Sequence, residues 1–199
     1  MKLIFVAGIE DSGKDAILDM VLTGSKHRLP PFDYVRFDDV FFNKEKSISP
    51  RFGHRALAES MDFSGNAGQI TKAREQICKK LDSKLKEKSN VDKFIIVNGY
   101  FIINTLHGYV PVVSEQFFSS FKPGMIVLME AEDSDKSRHM LKRGPEYPES
   151  VRIQQEINRN YASLYTSATD AVLRIIKVRH GDIKSAIREL REALFFAMK

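Results

Sequence analysis

The sequence predicts an α/β domain of three layers: a parallel sheet of five strands with helices on both faces. Three observations point to it. Apolar runs of strand length alternate with segments of helical periodicity along all 199 residues. The first run, Leu3-Ile4-Phe5-Val6-Ala7, leads straight into Gly8, and Gly13-Lys14 complete a Gly-x-x-x-x-Gly-Lys spacing. The segment after Lys14 then carries Ile17, Leu18, Val21 and Leu22 on one helical stripe.

Strand, Gly-x-x-x-x-Gly-Lys and helix in that order form a phosphate-binding loop. Glycines let the backbone bend so that N–H groups converge on phosphate oxygens. The helix adds the positive end of its dipole at the same place. The lysine ammonium reaches the terminal phosphates. Gly8, Ile9, Glu10, Asp11, Ser12, Gly13, Lys14, Asp15 and Ala16 are therefore the candidate nucleotide-binding residues. The loop is irregular at two places. A Ser or Thr hydroxyl for Mg²⁺ normally follows the lysine, and here Asp15 and Ala16 stand there. Glu10 and Asp11 also set two carboxylates beside the phosphates. Either both point outward, or the loop has drifted from tight triphosphate binding.

The remaining elements follow in order. Residues 33–37 (Asp-Tyr-Val-Arg-Phe) read as the second strand. Ile70, Ala73, Ile77, Leu81 and Leu85 mark an amphipathic helix over 69–88 with a lysine-rich opposite face. Residues 94–97, 125–129 and 173–178 read as three further strands. Ile153, Ile157, Tyr161, Leu164 and Ala168 mark a long helix, and Ile183, Ile187, Leu190 and Leu194 the terminal one. One domain spans 1–199, with a small insertion over the sheet around 44–68 and a short lid around 142–150. Ligands of such a sheet bind at the carboxyl ends of its strands. That brings the loops after Phe37, Val97, Met129 and Val178 to the site.

Asp38 and Asp39 follow the second strand. Either could take a proton from an acceptor hydroxyl or hold Mg²⁺ through water, or simply cap a helix. Asn98 stands where a carboxylate usually orders the Mg²⁺ waters; Asp15 could compensate, or the metal site has decayed. Arg138, Lys142 and Arg143 run into Gly144-Pro145-Glu146-Tyr147-Pro148. That suits a lid whose arginines stabilise a transferring phosphoryl group, and equally a basic helix face before a rigid turn.

Bulk properties exclude other classes. With 43% hydrophobic and 29% charged residues the chain is not disordered. A net charge of +5 favours anionic ligands without pointing to nucleic acid. The single cysteine, Cys78, permits no intrachain disulfide and reads as a structural thiol. The histidines lack zinc-ligand spacing. No apolar run approaches the ~20 residues of a membrane span. A strand follows Met1-Lys2 directly, so a cytoplasmic protein without signal peptide is expected.

Together these residues resemble the archaeal-type adenylate kinases, a group of P-loop nucleoside monophosphate kinases. Residues 1–9 are similar to the family's opening strand and loop, and 37–42 to a short motif beside the monophosphate. Gly108-Tyr109-Val110-Pro111 resembles a family GYLP stretch, and 175–181 the loop that borders the adenine. The resemblance implies the P-loop kinase fold with strand order 2-3-1-4-5, ATP and Mg²⁺ as cofactors, and AMP as the default acceptor. It implies that Lys14 and the loop hold the donor phosphates, with Arg138 and Arg143 at the lid. Asp38, Asp39, Arg55, Asn98 and Tyr109 would serve the substrate, and Arg179, His180 and Gly181 the base. Asp15 would be the metal residue. Some members form trimers, so a homo-oligomer is consistent with the resemblance. The chain departs from the family pattern at Glu10, Asp11, Asp15 and Asn98, and in a lid motif without Arg at 144–148. These departures leave two rivals to the kinase: a non-catalytic nucleotide-binding or assembly protein, and a small-molecule kinase with Asp38 or Asp39 as base.

Overall fold

The structure is a computed structural model. It describes residues 2–9, 12–25, 27–41, 67–88, 93–105, 108–132, 147–179 and 181–199. β1 (Lys2–Gly8) leads into α1 (Lys14–Ser25), then β2 (Phe32–Arg36) and the short α2 (Phe37–Phe41). α3 (Ala67–Lys88) precedes β3 (Phe94–Gly99). β4 (Ile102–Thr105), β5 (Gly108–Pro111) and α4 (Glu115–Phe121) follow. The chain closes with β6 (Met125–Ala131), α5 (Tyr147–Thr169), β7 (Val172–Val178) and α6 (Ile183–Ala197).

Five strands form one parallel sheet in the order β2-β3-β1-β6-β7. Counted along the chain without the β4–β5 hairpin, that is the expected 2-3-1-4-5. Alternation along β1 explains the layers, because successive side chains leave a strand on opposite faces. Leu3, Phe5 and Ala7 face a core shared with Ile77, Leu81 and Leu85 of α3, Phe118 of α4 and Tyr165 of α5. Ile4 and Val6 face a second core with Ile17, Leu18 and Val21 of α1 and Leu190 and Leu194 of α6. Phe5 anchors the first, with the rings of Phe37, Phe101 and Phe118 at 5.7, 5.3 and 5.0 Å.

Three features differ from the sequence reading. The second strand ends at Arg36, and Phe37 turns in to open α2 against Phe5. Gly99 makes room for it: a Cβ there would lie 2.7 Å from the Phe37 ring. The antiparallel β4–β5 hairpin and α4 were not anticipated. α4 begins at Ser114, whose hydroxyl accepts the Phe117 N–H at 3.2 Å.

The lysine-rich face of α3 is a solvated one. Lys79, Lys80 and Lys86 are exposed, Lys86 pairs with Asp82 at 2.7 Å and Lys84 with Glu87 at 2.8 Å. Cys78 lies half-buried against the Val112 carbonyl and the Ser114 hydroxyl, as a structural thiol does. Among the described residues no helix is long and apolar enough to cross a membrane.

Candidate functional site: the loop between the first strand and helix

β1 is the middle strand, so its carboxyl end opens at the centre of the sheet edge. The chain leaves at Gly8 because nothing larger fits. A Cβ there would lie 2.7 Å from the Met129 carbonyl oxygen, 3.0 Å from Ser12 Oγ and 3.2 Å from Lys14 Cδ. Ser12 N–H donates to the Ile9 carbonyl at 3.3 Å, and Gly13 takes a positive φ of 77° before its carbonyl starts α1. Gly13 is one of the places where the turn requires glycine. Ser12 is buried, and its hydroxyl finds no hydrogen-bond partner among the described residues. A donor of that kind is ready for an external oxygen.

Lys14 opens α1 and folds back into the sheet edge, where it is buried. Its ammonium donates to Asp15 Oδ1 at 2.7 Å and to Asn98 Oδ1, and lies 4.7 Å from the centre of the Tyr100 ring. Asn98 Nδ2 in turn donates to Asp15 Oδ1 at 2.8 Å and to the Tyr34 hydroxyl at 3.0 Å. Asp15 and Asn98, two of the irregular positions of the sequence, therefore meet directly around the lysine.

Asp19, one turn after Asp15 on α1, carries the cluster outward. The Tyr34 hydroxyl donates to it at 3.4 Å, and Arg36 stands 3.9 Å from Asp19 and 3.9 Å from Asp38. Burial raises the Asp15 pKa, but the Lys14 ammonium and the hydrogen bonds from Lys14 and Asn98 outweigh it and hold it below the ordinary value. Asp38 goes the other way: burial and the Asp15 charge raise it. Burial likewise raises Tyr34, which stays a neutral hydroxyl.

The structure thus brings together Gly8, Ile9, Ser12, Gly13, Lys14, Asp15 and Asn98, and links Asp38 to them through Arg36. Ala16 is exposed on α1, and Asp39 is exposed on α2. Tyr109 sits half-buried on β5 against the α3-side core. Arg179 follows β7 and pairs with Glu132 at 2.9 Å, with Gly181 in the turn beyond. Val178 would lie 3.4 Å from a Cβ on Gly13, so the end of β7 borders the loop. Glu10, Asp11, Arg55, Arg138, Lys142, Arg143 and His180 fall outside the described residues, as do 44–66 of the expected insertion and 142–146 of the lid. Residues 67–68 and 147–150 belong to α3 and α5.

Sequence reasoning missed Asp19, Tyr34, Arg36 and Tyr100. One signal was readable: Asp15 and Asp19 stand four apart and share a helix face. A second missed cluster lies where β6 ends. Glu130 is buried, takes Arg159 Nε at 2.5 Å and Nη2 at 2.8 Å, and takes Lys177 at 2.7 Å. Among the described residues no group of three or more His, Cys, Asp or Glu side chains is arranged to hold a metal.

No family model matches the chain. Curated relatives match it along its whole length. The adenylate kinase of Methanothermobacter thermautotrophicus is 26% identical over 204 aligned positions, covering 98% of this chain and 100% of the relative. That of Pyrococcus abyssi is 24% identical, covering 99% and 97%. The chain is thus similar along nearly all of its length to archaeal adenylate kinases. Solved structures agree on the fold. A thymidylate kinase of Candida albicans superposes with a TM-score of 0.57 at 15% identity, over 98% of this chain and 91% of that one. A shikimate kinase of Bacteroides thetaiotaomicron gives 0.53 at 17% identity, over 98% of each. In this fold Lys14 stands at the start of α1, directly after the glycine turn that follows β1.

Proposed function

We propose that this chain moves the γ-phosphoryl group of ATP to a nucleoside monophosphate, with AMP the default acceptor, at a reduced rate. The observation that carries the reading is the buried Lys14 ammonium, set after a glycine turn at the central strand's carboxyl end, with a buried Ser12 hydroxyl that has no hydrogen-bond partner among the described residues. An ammonium has three donors, and Asp15 and Asn98 take two of them. Among the described residues the third has no acceptor, and a phosphate oxygen would take it.

An acceptor phosphate oxygen attacks the γ-phosphorus, and the bond from that phosphorus to the β–γ bridging oxygen breaks. Charge grows on the equatorial and leaving oxygens, so positioning and fixed positive charge do the catalysis. Lys14, the Ser12 hydroxyl and the loop N–H groups stabilise the donor side. Arg138 and Arg143 would neutralise charge from the lid, and Arg55, Asp38 and Asp39 would face the acceptor. Arg179, His180 and Gly181 would border the base.

The donor set at the loop fits a Mg²⁺ ion, which takes one carboxylate with waters and phosphate oxygens. Asp15 would hold it, half-exposed beside Lys14. When bound, the ion supplies charge neutralisation across the β- and γ-phosphates. Asp15 also sets a negative charge beside Lys14, which disfavours metal-free ATP and motivates the reduced rate.

One observation favours a second reading. Asp38 has a buried Oδ1 without a hydrogen-bond partner among the described residues and a raised pKa. Both suit a base for a neutral hydroxyl acceptor. A coupled assay with ATP, Mg²⁺ and a panel of monophosphates and nucleosides separates the readings. Transfer to AMP below the ~1–100 per second usual for kinases supports the first. Transfer only to nucleosides supports the second, and ATP binding without any transfer supports the binding protein.

A further inference from the structure

The Lys14–Asp15 pair opens α1, and the Asn98 side chain ties both residues to β3. We propose that Tyr34 is a positioning residue for Lys14, acting through the Asn98 amide. The proposal rests on the reading of Lys14 as the phosphate lysine.

Asn98 stands one residue before the end of the buried strand β3, and its amide makes three contacts of defined sense. The oxygen accepts from Lys14, and the nitrogen donates to Asp15 and to Tyr34. Turned the other way, the amide would set N–H groups against an ammonium and a carbonyl against a carboxylate. Lys14 and Asp15 therefore choose the sense of the amide, but they cannot hold it in place, since they are the groups it has to position. Tyr34 can. Its ring packs against the α1-side core next to Phe32, and its hydroxyl donates to Asp19 on α1. Arg36, the neighbour of Asn98 in register, stands on the same edge and holds Asp19 from the other side.

Both amide hydrogens are thereby spent, one on Asp15 and one on Tyr34. Loss of the Tyr34 hydroxyl leaves the amide tied only to Lys14 and Asp15, and the ammonium is then no longer held at one point for a phosphate oxygen. Pre-organised charge of this kind acts without rearrangement during the reaction.

The test is calorimetric titration of ATP with Mg²⁺ present, on the parent, Tyr34→Phe, Asn98→Ala, the double variant and Lys14→Ala. Thermal unfolding is followed in parallel. Tyr34→Phe should weaken ATP binding about two- to tenfold, the range of one net hydrogen bond. Asn98→Ala should weaken it at least as much. The double variant should be no weaker than Asn98→Ala alone, because Tyr34 acts through the amide. A merely structural tyrosine would lower the melting temperature in both backgrounds and leave no such coupling in affinity. Parent affinity in Tyr34→Phe, with binding lost in Lys14→Ala, overturns the proposal and leaves the phosphate loop standing. Additive losses in the double variant overturn it too. Parent affinity in Lys14→Ala removes the phosphate reading, and this proposal with it.

Discussion

Two charge clusters stand where strands of the sheet end, and they are built as opposites. Around Glu130 the buried group is the acid, 1% exposed, and its partners Arg159 and Lys177 are 46% and 47% exposed. Around Lys14 the buried group is the cation, 2% exposed, and Asp15 is 35% exposed. Glu130 receives three hydrogen bonds from two cations, one of them a forked guanidinium. Its oxygens are engaged and it joins β6, α5 and β7. Among the described residues Lys14 donates to one carboxylate and one amide, which leaves a donor over. A closed cluster fixes a fold; an open one, lined by a hydroxyl without a partner among the described residues, fits a ligand. Burial of charge alone separates nothing, and the count of remaining donors does.

Breaking the closed cluster should have the largest effect on stability. Glu130→Ala should cost about 2 kcal/mol, less than the 3–5 for a fully buried pair because both cations can regain water. Urea unfolding reads the cost, and ATP affinity should stay at the parent value. A variant that keeps its stability but loses ATP would reverse the roles of the two clusters.

The same acid sets a pH dependence. Burial raises the Glu130 pKa, but the hydrogen bonds and charges of Arg159 and Lys177 outweigh it and bring it below 4.5. A lowered carboxylate pKa stabilises the fold above the unfolded value and loses that stability as pH falls through the folded one. Melting temperatures between about pH 6 and 3 should fall more steeply for the parent than for Glu130→Gln. Equal slopes would assign the acid sensitivity to other groups.

The open cluster is sharpened by Asp15→Thr, which removes the carboxylate competing with phosphate for Lys14. Affinity for ATP without Mg²⁺ should rise about tenfold, the low end for a hydrogen bond between charged groups. Asn98→Asp alone would set a second carboxylate against Asp15, at the 2.8 Å contact the amide now fills. The pair Asp15→Thr with Asn98→Asp should therefore raise phosphoryl transfer more than either change alone. A pair that changes neither binding nor transfer would place both residues outside any metal site.

Much of this molecule could be read along the chain, and the reason is local. Leu3 to Ala7, the glycine spacing and the stripe from Ile17 to Leu22 announce strand, turn and helix within a couple of dozen residues. The same holds for β3, β6, β7 and the long helices. Phe37 misled because its burial in the α3-side core, not its propensity, ends β2. β4, β5 and α4 are too short for a period to show, although Ser114 before Glu115 was a cap in plain view. The site was legible only in part. Lys14 stood out by its motif and Asp15 and Asn98 as irregular, but their contacts span 83 and 84 positions. Tyr34 read as an ordinary strand residue, since its hydroxyl finds Asn98 only once β2 lies against β3.

The most direct test of the Lys14 assignment is ATP calorimetry, with Mg²⁺, of Lys14→Ala against the parent. Affinity should fall about a hundredfold, the loss of one strong charge-assisted contact, while the melting temperature stays within a few degrees. Equal affinity in the two proteins would contradict the phosphate site and the kinase reading built on it.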